Sequence, residues 1–414
     1  MADNVVLARN VDGAPVSDIC SQTVAFSHYN HFSMQLPVDA SGALVSGSAK
    51  EQAAQCFANI KAVIEGIDRK LSDTVRVSIF LTDINDLDAV NEAYKAVWSD
   101  YLPTRTVVAV DSLPLDGAVV AVDAVLSHGL GTIPDAPQAD DLIILARNTD
   151  KVYKCENATQ TCAFSHYNNI TTQLPLDETG ALVSGGVKEQ LNQCLRNVKN
   201  IVESIDVPID DLVKVTIFLK DLGDVDAVNE VYKTYFPDSG IARAVNYLPA
   251  RSVVAVKDLP KGASVAVEAV CSHGDGTPPQ EVEARHGLII EANNTDKAPI
   301  CENSTQTVAF SHYNNISSQY PSDPSADVKA QAKEILGNIK TIVESVDHKL
   351  EDVVKVNIYI KDMADLAAVD EVYKEFFPEG TPARRVVGVA DVLMGGKLHM
   401  DAVVSNAEGT PPIK

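Results

Sequence analysis

The chain has 414 residues and a formal net charge of −23, with 45% hydrophobic and 22% charged residues. This negative charge repels phosphate groups, so we expect neither nucleic acid nor an anionic membrane surface as a partner. No apolar run reaches the roughly 18 residues that a membrane-spanning helix needs. The N-terminus also lacks the pattern of a secretory signal, so we expect a soluble cytoplasmic protein.

The cysteines and histidines show no local pattern of a metal or redox site. The seven cysteines include no CxxC pair, and none of the nine histidines has a cysteine or carboxylate at metal-ligand spacing. Reduced thiols are therefore the simplest interpretation. The phosphate-binding motifs GxGxxG and GxxxxGK[ST] are absent as well, so we predict no metal and no cofactor.

An eight-residue stretch occurs three times. TVAFSHYN at Thr23–Asn30 returns as TCAFSHYN at Thr161–Asn168 and as TVAFSHYN at Thr307–Asn314, at offsets of 138 and 146 residues. Near-identity at such spacing indicates three copies of one unit. We predict three domains at residues 1–130, 141–275 and 287–408.

The first half of each unit reads as short strands. In unit 1, VVLAR predicts a strand, TVAF a second one and SHYN the connection of a hairpin. The next run, HFSMQLPV, predicts a strand that Pro37 stops, and DASGALV predicts a turn with a further short strand. Unit 3 is five residues shorter at that last place, so we expect a clipped hairpin there.

The second half of each unit alternates helices and strands. Apolar residues at steps of three and four predict a helix over Lys50–Ile67, and a second helix from about Asp86. Between them, DTVRVSIFLTD alternates as a strand with one covered face. TRTVVAV and GAVVAVDAVLSHG predict the last two strands. The expected fold class is α+β, with both helices on one face of a mixed sheet. Gly-Thr-x-Pro segments at Gly131, Gly276 and Gly409 read as the ends of units and the start of linkers.

An arginine opens an apolar strand in every unit. The motif is PTRTVVAV, PARSVVAV and PARRVVGV, and its arginines are Arg105, Arg251 and Arg384. Arg243 competes with Arg251 in unit 2, but the distance to the following Leu-Pro favours Arg251. A guanidinium suits bidentate binding of a carboxylate, and burying it unpaired is costly. Two interpretations stay open: an ion pair with a neighbouring acid, or a site for a small carboxylate ligand.

Three weaker signals accompany the arginines. In each unit a hydroxyl residue and, two positions later, a glutamine stand shortly before a proline. These residues either line a polar pocket or close the end of a strand: Ser33, Gln35, Thr171, Gln173, Ser317 and Gln319. The last strand carries an acid in each unit, for which a structural ion pair is favoured over catalysis: Asp123, Glu268 and Asp401. The SHYN turn itself reads as an ordinary turn or as a binding element.

The order of these motifs resembles the YjgF/Rid family, also called L-PSP or reactive-intermediate deaminase. The segments that carry the resemblance include VKVTIFLKD and PARSVVAV, and it covers each unit nearly end to end. The resemblance implies a chorismate-mutase-like fold, inward-facing sheets, and ligand sites in clefts between subunits of a trimer. Three fused copies would then form a monomeric pseudo-trimer. It further implies hydrolysis of enamines and imines to 2-keto acids and ammonia, with Arg105, Arg251 and Arg384 holding the substrate carboxylate.

Other positions depart from the family pattern. The family glutamate near the water is replaced by Ala121, Ala266 and His399, and the family glycine at the ligand by Met34, Thr172 and Ser318. Two hypotheses follow. The first is a Rid-type imine deaminase. The second is a non-catalytic protein that binds a small carboxylate or serves as a structural scaffold.

Overall fold

The computed structural model describes residues 6–127, 143–236, 248–272 and 290–405. Arg243 and the three Gly-Thr-x-Pro segments lie outside these residues. Unit 1 contains six strands and two helices: β1 (Leu7–Arg9), β2 (Thr23–Phe26), β3 (Tyr29–Phe32), α1 (Ala49–Gly66), β4 (Thr74–Leu81), α2 (Leu87–Val97), β5 (Thr104–Ala109) and β6 (Val120–Ser127).

Units 2 and 3 repeat this order of elements. Those of unit 2 are β7 (Leu145–Arg147), β8 (Thr161–Phe164), β9 (Tyr167–Gln173), α3 (Val187–Glu203), β10 (Leu212–Leu219), α4 (Val225–Tyr235), β11 (Ala250–Ala255) and β12 (Val265–Ser272). Those of unit 3 are β13 (Glu291–Asn293), β14 (Thr307–Phe310), β15 (Tyr313–Gln319), α5 (Val328–Glu344), β16 (Val353–Ile360), α6 (Leu366–Phe376), β17 (Ala383–Gly388) and β18 (Leu398–Ser405). The α+β class and the three tandem domains are confirmed.

Each unit forms one six-stranded mixed sheet. The strand order in unit 1 is β1-β2-β3-β6-β4-β5, and the other two sheets have the equivalent order. β4 and β5 pair in parallel, with Val77 opposite Arg105, because α2 crosses over between them. The neighbours β3 and β4 of β6 both run antiparallel to it. The parallel pair places the arginine at the start of the edge strand β5.

The helices begin and pack as their sequences indicate. Ser48 caps α1 in a capping box with Glu51, and Asp327 caps α5 by accepting from the Ala330 backbone N–H. The apolar face of α1 packs on its sheet through Phe57 and Ile60, which are fully buried. Equivalent cores fill the space between helices and sheet in units 2 and 3. No helix within the described ranges is both long enough and apolar enough to cross a membrane.

The central strand β4 is covered on both faces, so the prediction of one covered face is wrong. Val77 and Ile79 pack under the helices of unit 1. Phe80 packs instead in a core that all three sheets share, together with Phe218 and Tyr359. The three sheets therefore face one another and the helices lie outside. Alternation in one unit could not reveal this second burial, since the covering residues belong to the other units.

Two local predictions also need correction. The short strand expected in DASGALV is only a single bridge between Val38 and Leu44, with an equivalent bridge from Leu176 to Leu182 in unit 2. The strand after the SHYN turn starts earlier than expected, because Tyr29 already pairs with Phe26. The turn of the hairpin is thus only two residues long, Ser27 and His28.

The three units contact one another in a cycle. The hydroxyl of Tyr29 donates to the Phe164 carbonyl of unit 2, and the equivalent tyrosines repeat this bond to the next unit: Tyr167 to Phe310 and Tyr313 to Phe26. The same order appears at the surface in the ion pairs Lys95–Glu156, Lys233–Glu302 and Lys374–Asp18, at 3.2, 3.1 and 2.8 Å. Unit 1 thus contacts unit 2, unit 2 contacts unit 3, and unit 3 returns to unit 1.

Candidate functional site

The three arginines lie in clefts between neighbouring units. We call the cleft between units 1 and 2 the first cleft, that between units 2 and 3 the second, and that between units 3 and 1 the third. Arg105, Arg251 and Arg384 belong to them in this order and are 5, 6 and 7% exposed. In the first and third clefts the arginine backbone N–H donates to the neighbouring unit's hydroxyl, Thr171 at 3.0 Å and Ser33 at 2.8 Å. In these two clefts the arginine and the predicted hydroxyl residue are brought together. In the second cleft the Arg251 N–H donates to Ser304 at 2.9 Å instead of the predicted Ser317.

Each guanidinium lies over a tyrosine from the second helix of its own unit. The distances from the guanidinium carbon to the ring centre are 4.4 Å for Arg105 over Tyr94 and 4.7 Å for Arg384 over Tyr373. Arg251 lies over Tyr232 at 4.8 Å. The ring face stabilises a buried cation and fixes its plane. The polar residues beside each guanidinium then determine which hydrogen bonds its nitrogens make.

The polar neighbours differ among the three clefts. In the third cleft Arg384 forms an ion pair with Asp370, one helical turn before Tyr373. In the second cleft Arg251 donates from Nη1 to the Asn229 side-chain oxygen at 2.8 Å. In the first cleft the equivalent residue is Asn91. Its Oδ1 and the Nε and Nη2 of Arg105 are buried and have no hydrogen-bond partner among the described residues.

Arg105 is therefore a buried cation that has no counter-ion within the described part of the chain. Burial lowers its pKa from the ordinary value, which shows that its charged form pays a desolvation cost. An arginine stays protonated in proteins even so. An anionic ligand would offset that cost, since a buried charge is stabilised mainly by a hydrogen-bonded opposite charge.

A cavity of about 250 Å³ lies in front of Arg105. Its polar lining includes Asn91 from unit 1 and Thr172 from unit 2. Its apolar lining includes Val107 and Leu174. Sites for drug-sized ligands have volumes of about 300–1,000 Å³. The cavity thus suits a small molecule with one anionic end, a polar centre and a short alkyl group.

The predicted hydroxyl and glutamine residues act mostly within the protein. Thr171 donates to the Thr159 carbonyl and accepts from Arg105, and Ser33 donates to the Ser21 carbonyl at 2.6 Å. The three glutamines bond back to the strand two residues earlier, with Nε2 donating to the carbonyls of Ser33, Thr171 and Ser317: Gln35, Gln173 and Gln319. Thr171 and Gln173 also line the cavity. The hydroxyl residues thus hold the strand that begins with the arginine, and Thr171 and Gln173 also form part of the cleft wall.

Thr172 connects the cavity to a buried carboxylate. The hydroxyl of Thr106 donates to Glu268, and the oxygens of Thr106 and Thr172 are 2.6 Å apart. Because the Thr106 proton is used on the carboxylate, Thr106 must accept the proton of Thr172. The Thr172 oxygen is then left as an acceptor towards the cavity.

The second cleft has a different polar arrangement. Ser318, at the position of Thr172, lies 3.0 Å from Nδ1 of His399. The His399 ring stacks between Tyr320 and Tyr359, at 5.0 and 4.5 Å between ring centres. Burial lowers the pKa of His399 to about 3, so the ring is neutral at physiological pH. Ser252, at the position of Thr106, still donates to the carboxylate of Asp401, but Ser318 contacts the stacked His399 ring.

The acids of the last strands form buried ion pairs, as the structural interpretation predicted. Asp123 binds Lys355 at 2.8 Å and Arg385 at 2.6 Å, both from unit 3. Asp401 lies 3.4 Å from Lys214 of unit 2, and Glu268 lies 3.5 Å from Arg76 of unit 1. Each ion pair joins two units, so these acids stabilise the contacts between the units that form the clefts.

Sequence reasoning missed the residues that distinguish the clefts. Asn91 and Asp370 each precede their arginine by 14 residues, and the change from Asn to Asp in the third copy was the available signal. This difference could not be interpreted from the sequence alone, because the sequence does not show that the residue on the helix contacts the arginine 14 positions later. The contact of Thr106 with Glu268 joins residues 162 positions apart and had no local signal.

Comparison with known proteins gives the same threefold division. A family described as Endoribonuclease L-PSP matches residues 16–126, 164–272 and 297–405. A RutC family protein of Pyrococcus abyssi is 41% identical over 102 residues, which are 24% of this chain and 74% of that protein. The 2-iminobutanoate/2-iminopropanoate deaminase of Mus musculus is 40% identical over 106 residues, which are 25% of this chain and 73% of that enzyme.

Solved structures also match one unit at a time. The YjgF gene product from E. coli is 30% identical and covers 31% of this chain and 98% of its own, with a TM-score of 0.29. RidA from an Antarctic Psychrobacter is 34% identical and covers 30% of this chain and 98% of its own, with a TM-score of 0.28.

Proposed function

Because the chain belongs to the endoribonuclease L-PSP family, also called YjgF/Rid, and contains three tandem copies of its domain, we propose that it hydrolyses small 2-imino acids. The reaction would take place in the first cleft and release a 2-keto acid and ammonia. The observation that carries the proposal is the buried edge of Arg105 at the cavity, which has no hydrogen-bond partner in the ranges that the structure describes. Relatives named as 2-iminobutanoate/2-iminopropanoate deaminases support the choice of substrate class.

The cleft has groups for each part of such a substrate. Arg105 binds the carboxylate through Nε and Nη2, which are both free among the described residues. The side-chain oxygen of Asn91 accepts a hydrogen bond from the imine nitrogen. The short alkyl group lies against Val107 and Leu174. The two fixed ends hold the imine carbon in one place, which lowers the entropic part of the barrier.

Water then adds to the imine carbon. Thr172 accepts a hydrogen bond from this water, and as the new carbon–oxygen bond forms, one water proton passes to Thr172. Thr172 passes its own proton through Thr106 to Glu268. The nitrogen takes the first proton back from Glu268 through Thr106 and Thr172. As the carbon–nitrogen bond breaks, the nitrogen also takes the proton of the new hydroxyl, so ammonia leaves and the carbon keeps a C=O group. One imine and one water give one keto acid and one ammonia.

For the second and third clefts we propose the structural role of the scaffold hypothesis. Arg384 is already neutralised by Asp370, and Arg251 bonds to Asn229. The backbone N–H groups of the same arginines donate to neighbouring units, Arg384 to Ser33 at 2.8 Å and Arg251 to Ser304 at 2.9 Å. We propose that these two clefts join the units, that the domains extend over 1–130, 141–275 and 287–408, and that one chain takes the place of a trimer.

The test is an imine hydrolysis assay, with 2-iminobutanoate produced in place by a threonine dehydratase. We expect the protein to accelerate the release of 2-ketobutyrate. Arg105→Gln should lower kcat/KM about a hundredfold, since losing a buried charge pair costs about 3 kcal/mol. Arg384→Gln is the matched control and should keep most of the activity.

Two results would contradict the proposal. One is a wild-type protein that gives no acceleration over the uncatalysed reaction. The other is an equal loss in Arg105→Gln and Arg384→Gln variants that both keep the native circular dichroism spectrum, because the clefts would then be equivalent.

A further inference from the structure

The three SHYN turns bring three histidines together where the units meet. His28, His166 and His312 come from units 1, 2 and 3, and we call them the histidine cluster. Their ring centres are 4.7, 5.0 and 5.3 Å apart. One side-chain nitrogen of each ring lies within 4.8 Å of one nitrogen of each of the others. This cluster uses no residue of the proposed imine site.

We propose that the histidine cluster is a binding site for one divalent transition metal ion, with zinc as the ion that its donors fit best. Zinc binds histidine nitrogens at about 2.0–2.1 Å, which sets tetrahedral ligand nitrogens about 3.3 Å apart. Small rotations of the three rings would close the present spacing to this value. Imidazole donors suit zinc, copper and nickel and do not suit calcium or magnesium.

His312 is the most buried member of the histidine cluster. An imidazole nitrogen binds a metal ion through its lone pair. His312 is 7% exposed, and its Nδ1 has no hydrogen-bond partner among the described residues.

The surroundings hold the rings in place and leave one side open. Each histidine packs edge-on against a phenylalanine of another unit, with His28 6.3 Å from Phe164 and His312 6.5 Å from Phe26 between ring centres. His28 and His166 are half-buried, so solvent reaches the cluster. Three protein ligands leave the fourth zinc position for water or an anion.

Backbone strain in the turns supports a functional role. The residue before each histidine is a serine with positive φ, at 49° for Ser27, 51° for Ser165 and 49° for Ser311. A non-glycine residue in this region costs about 1 kcal/mol or more, and such strain concentrates at functional sites. Glycine would relieve it, yet all three copies keep serine and place a histidine next. The chain's net charge of −23 also raises the local concentration of cations.

The experiment is equilibrium dialysis of the full, tag-free chain against zinc chloride after treatment with a chelator. We expect one zinc ion per chain, bound at least tenfold more weakly by His28→Gln and by His166→Gln. His348→Gln removes a histidine on the loop after α5, outside the cluster, and should bind zinc as the wild type does.

Cobalt gives an independent spectroscopic readout. Co²⁺ should produce the visible bands of a tetrahedral nitrogen site in the wild type and in His348→Gln, and not in His28→Gln. Less than one zinc ion per wild-type chain would overturn the proposal, and so would unchanged binding in His28→Gln. A near-ultraviolet thiolate band would overturn it too, because it would place the metal on exposed Cys155 or Cys301.

Discussion

The buried arginines of the three clefts have different polar neighbours on the second helix of their units. Asn91, Asn229 and Asp370 occupy the same helical position. Among the described residues, Nε and Nη2 of Arg105 have no hydrogen-bond partner, whereas Arg251 bonds to the amide of Asn229 and Arg384 pairs with Asp370. Because the Asp370 carboxylate neutralises Arg384, we expect the third cleft to bind an anion less well than the first.

The first prediction is that Asp370→Asn releases Arg384. The substitution removes the internal counter-ion and gives the third cleft the residue of the first. We expect binding of 2-ketobutyrate to rise from one molecule per chain towards two, measured by isothermal titration calorimetry. Glu371→Gln is the control on the same helix, because Glu371 forms an exposed pair with Lys329, and it should leave the number of sites unchanged.

A stoichiometry that stays at one in Asp370→Asn would show that something other than the ion pair closes the third cleft. Met34, in place of the family glycine, would then be the first candidate, since its backbone already bonds to the Arg384 carbonyl at 2.9 Å.

The sequence predicted the helices and strands more completely than it predicted the contacts between side chains. The spacing of apolar residues located α1 from Lys50 to Ile67, and the structure places it at Ala49–Gly66. The strand that follows Pro103 was equally clear, because period-two alternation and a proline boundary are local signals. The second burial of β4 and the cycle of units could not be derived from local patterns, and only the family resemblance implied inward-facing sheets and a pseudo-trimer. The histidine cluster was not predicted, because it joins residues more than a hundred positions apart.

Strands β6, β16 and β17 carry a buried ion-pair network, and its acid, Asp123, should determine part of the stability at low pH. Burial alone would raise the pKa of Asp123, but the Arg385 and Lys355 cations outweigh it and hold the pKa below its ordinary value. An acid with a depressed folded pKa contributes stability above its unfolded pKa of about 3.9, and loses it as the pH falls towards the folded value.

We therefore expect Asp123→Asn to lower the free energy of unfolding by about 3–5 kcal/mol at neutral pH, since it leaves two buried cations unpaired. The difference from wild type should shrink as the pH falls from about 5 to about 3. Urea unfolding at several pH values measures it, with Asp18→Asn at the exposed pair with Lys374 as a control of little effect. A constant difference across this pH range would contradict the assignment. If Asp123→Asn does not fold, the variant with Lys355→Met as well removes one of the two unpaired cations.

At the scale of the whole molecule, fusing three copies allows the clefts to become different. Three identical chains would place the same residue in all three clefts, so a substitution such as Asn to Asp would close every site at once. In one chain, Arg105 can face a cavity while Arg384 pairs with Asp370 and Arg251 bonds to Asn229, each within its own unit. The same fusion brings His28, His166 and His312 into one cluster.

Ligand binding in the first cleft is tested most directly by the number of 2-keto acid molecules that one chain binds. Calorimetric titration of the wild type with 2-ketobutyrate should give one site, and Arg105→Gln should abolish it while Arg384→Gln keeps it. Three equal sites per chain, or one site that survives in Arg105→Gln, would contradict the assignment of ligand binding to the first cleft.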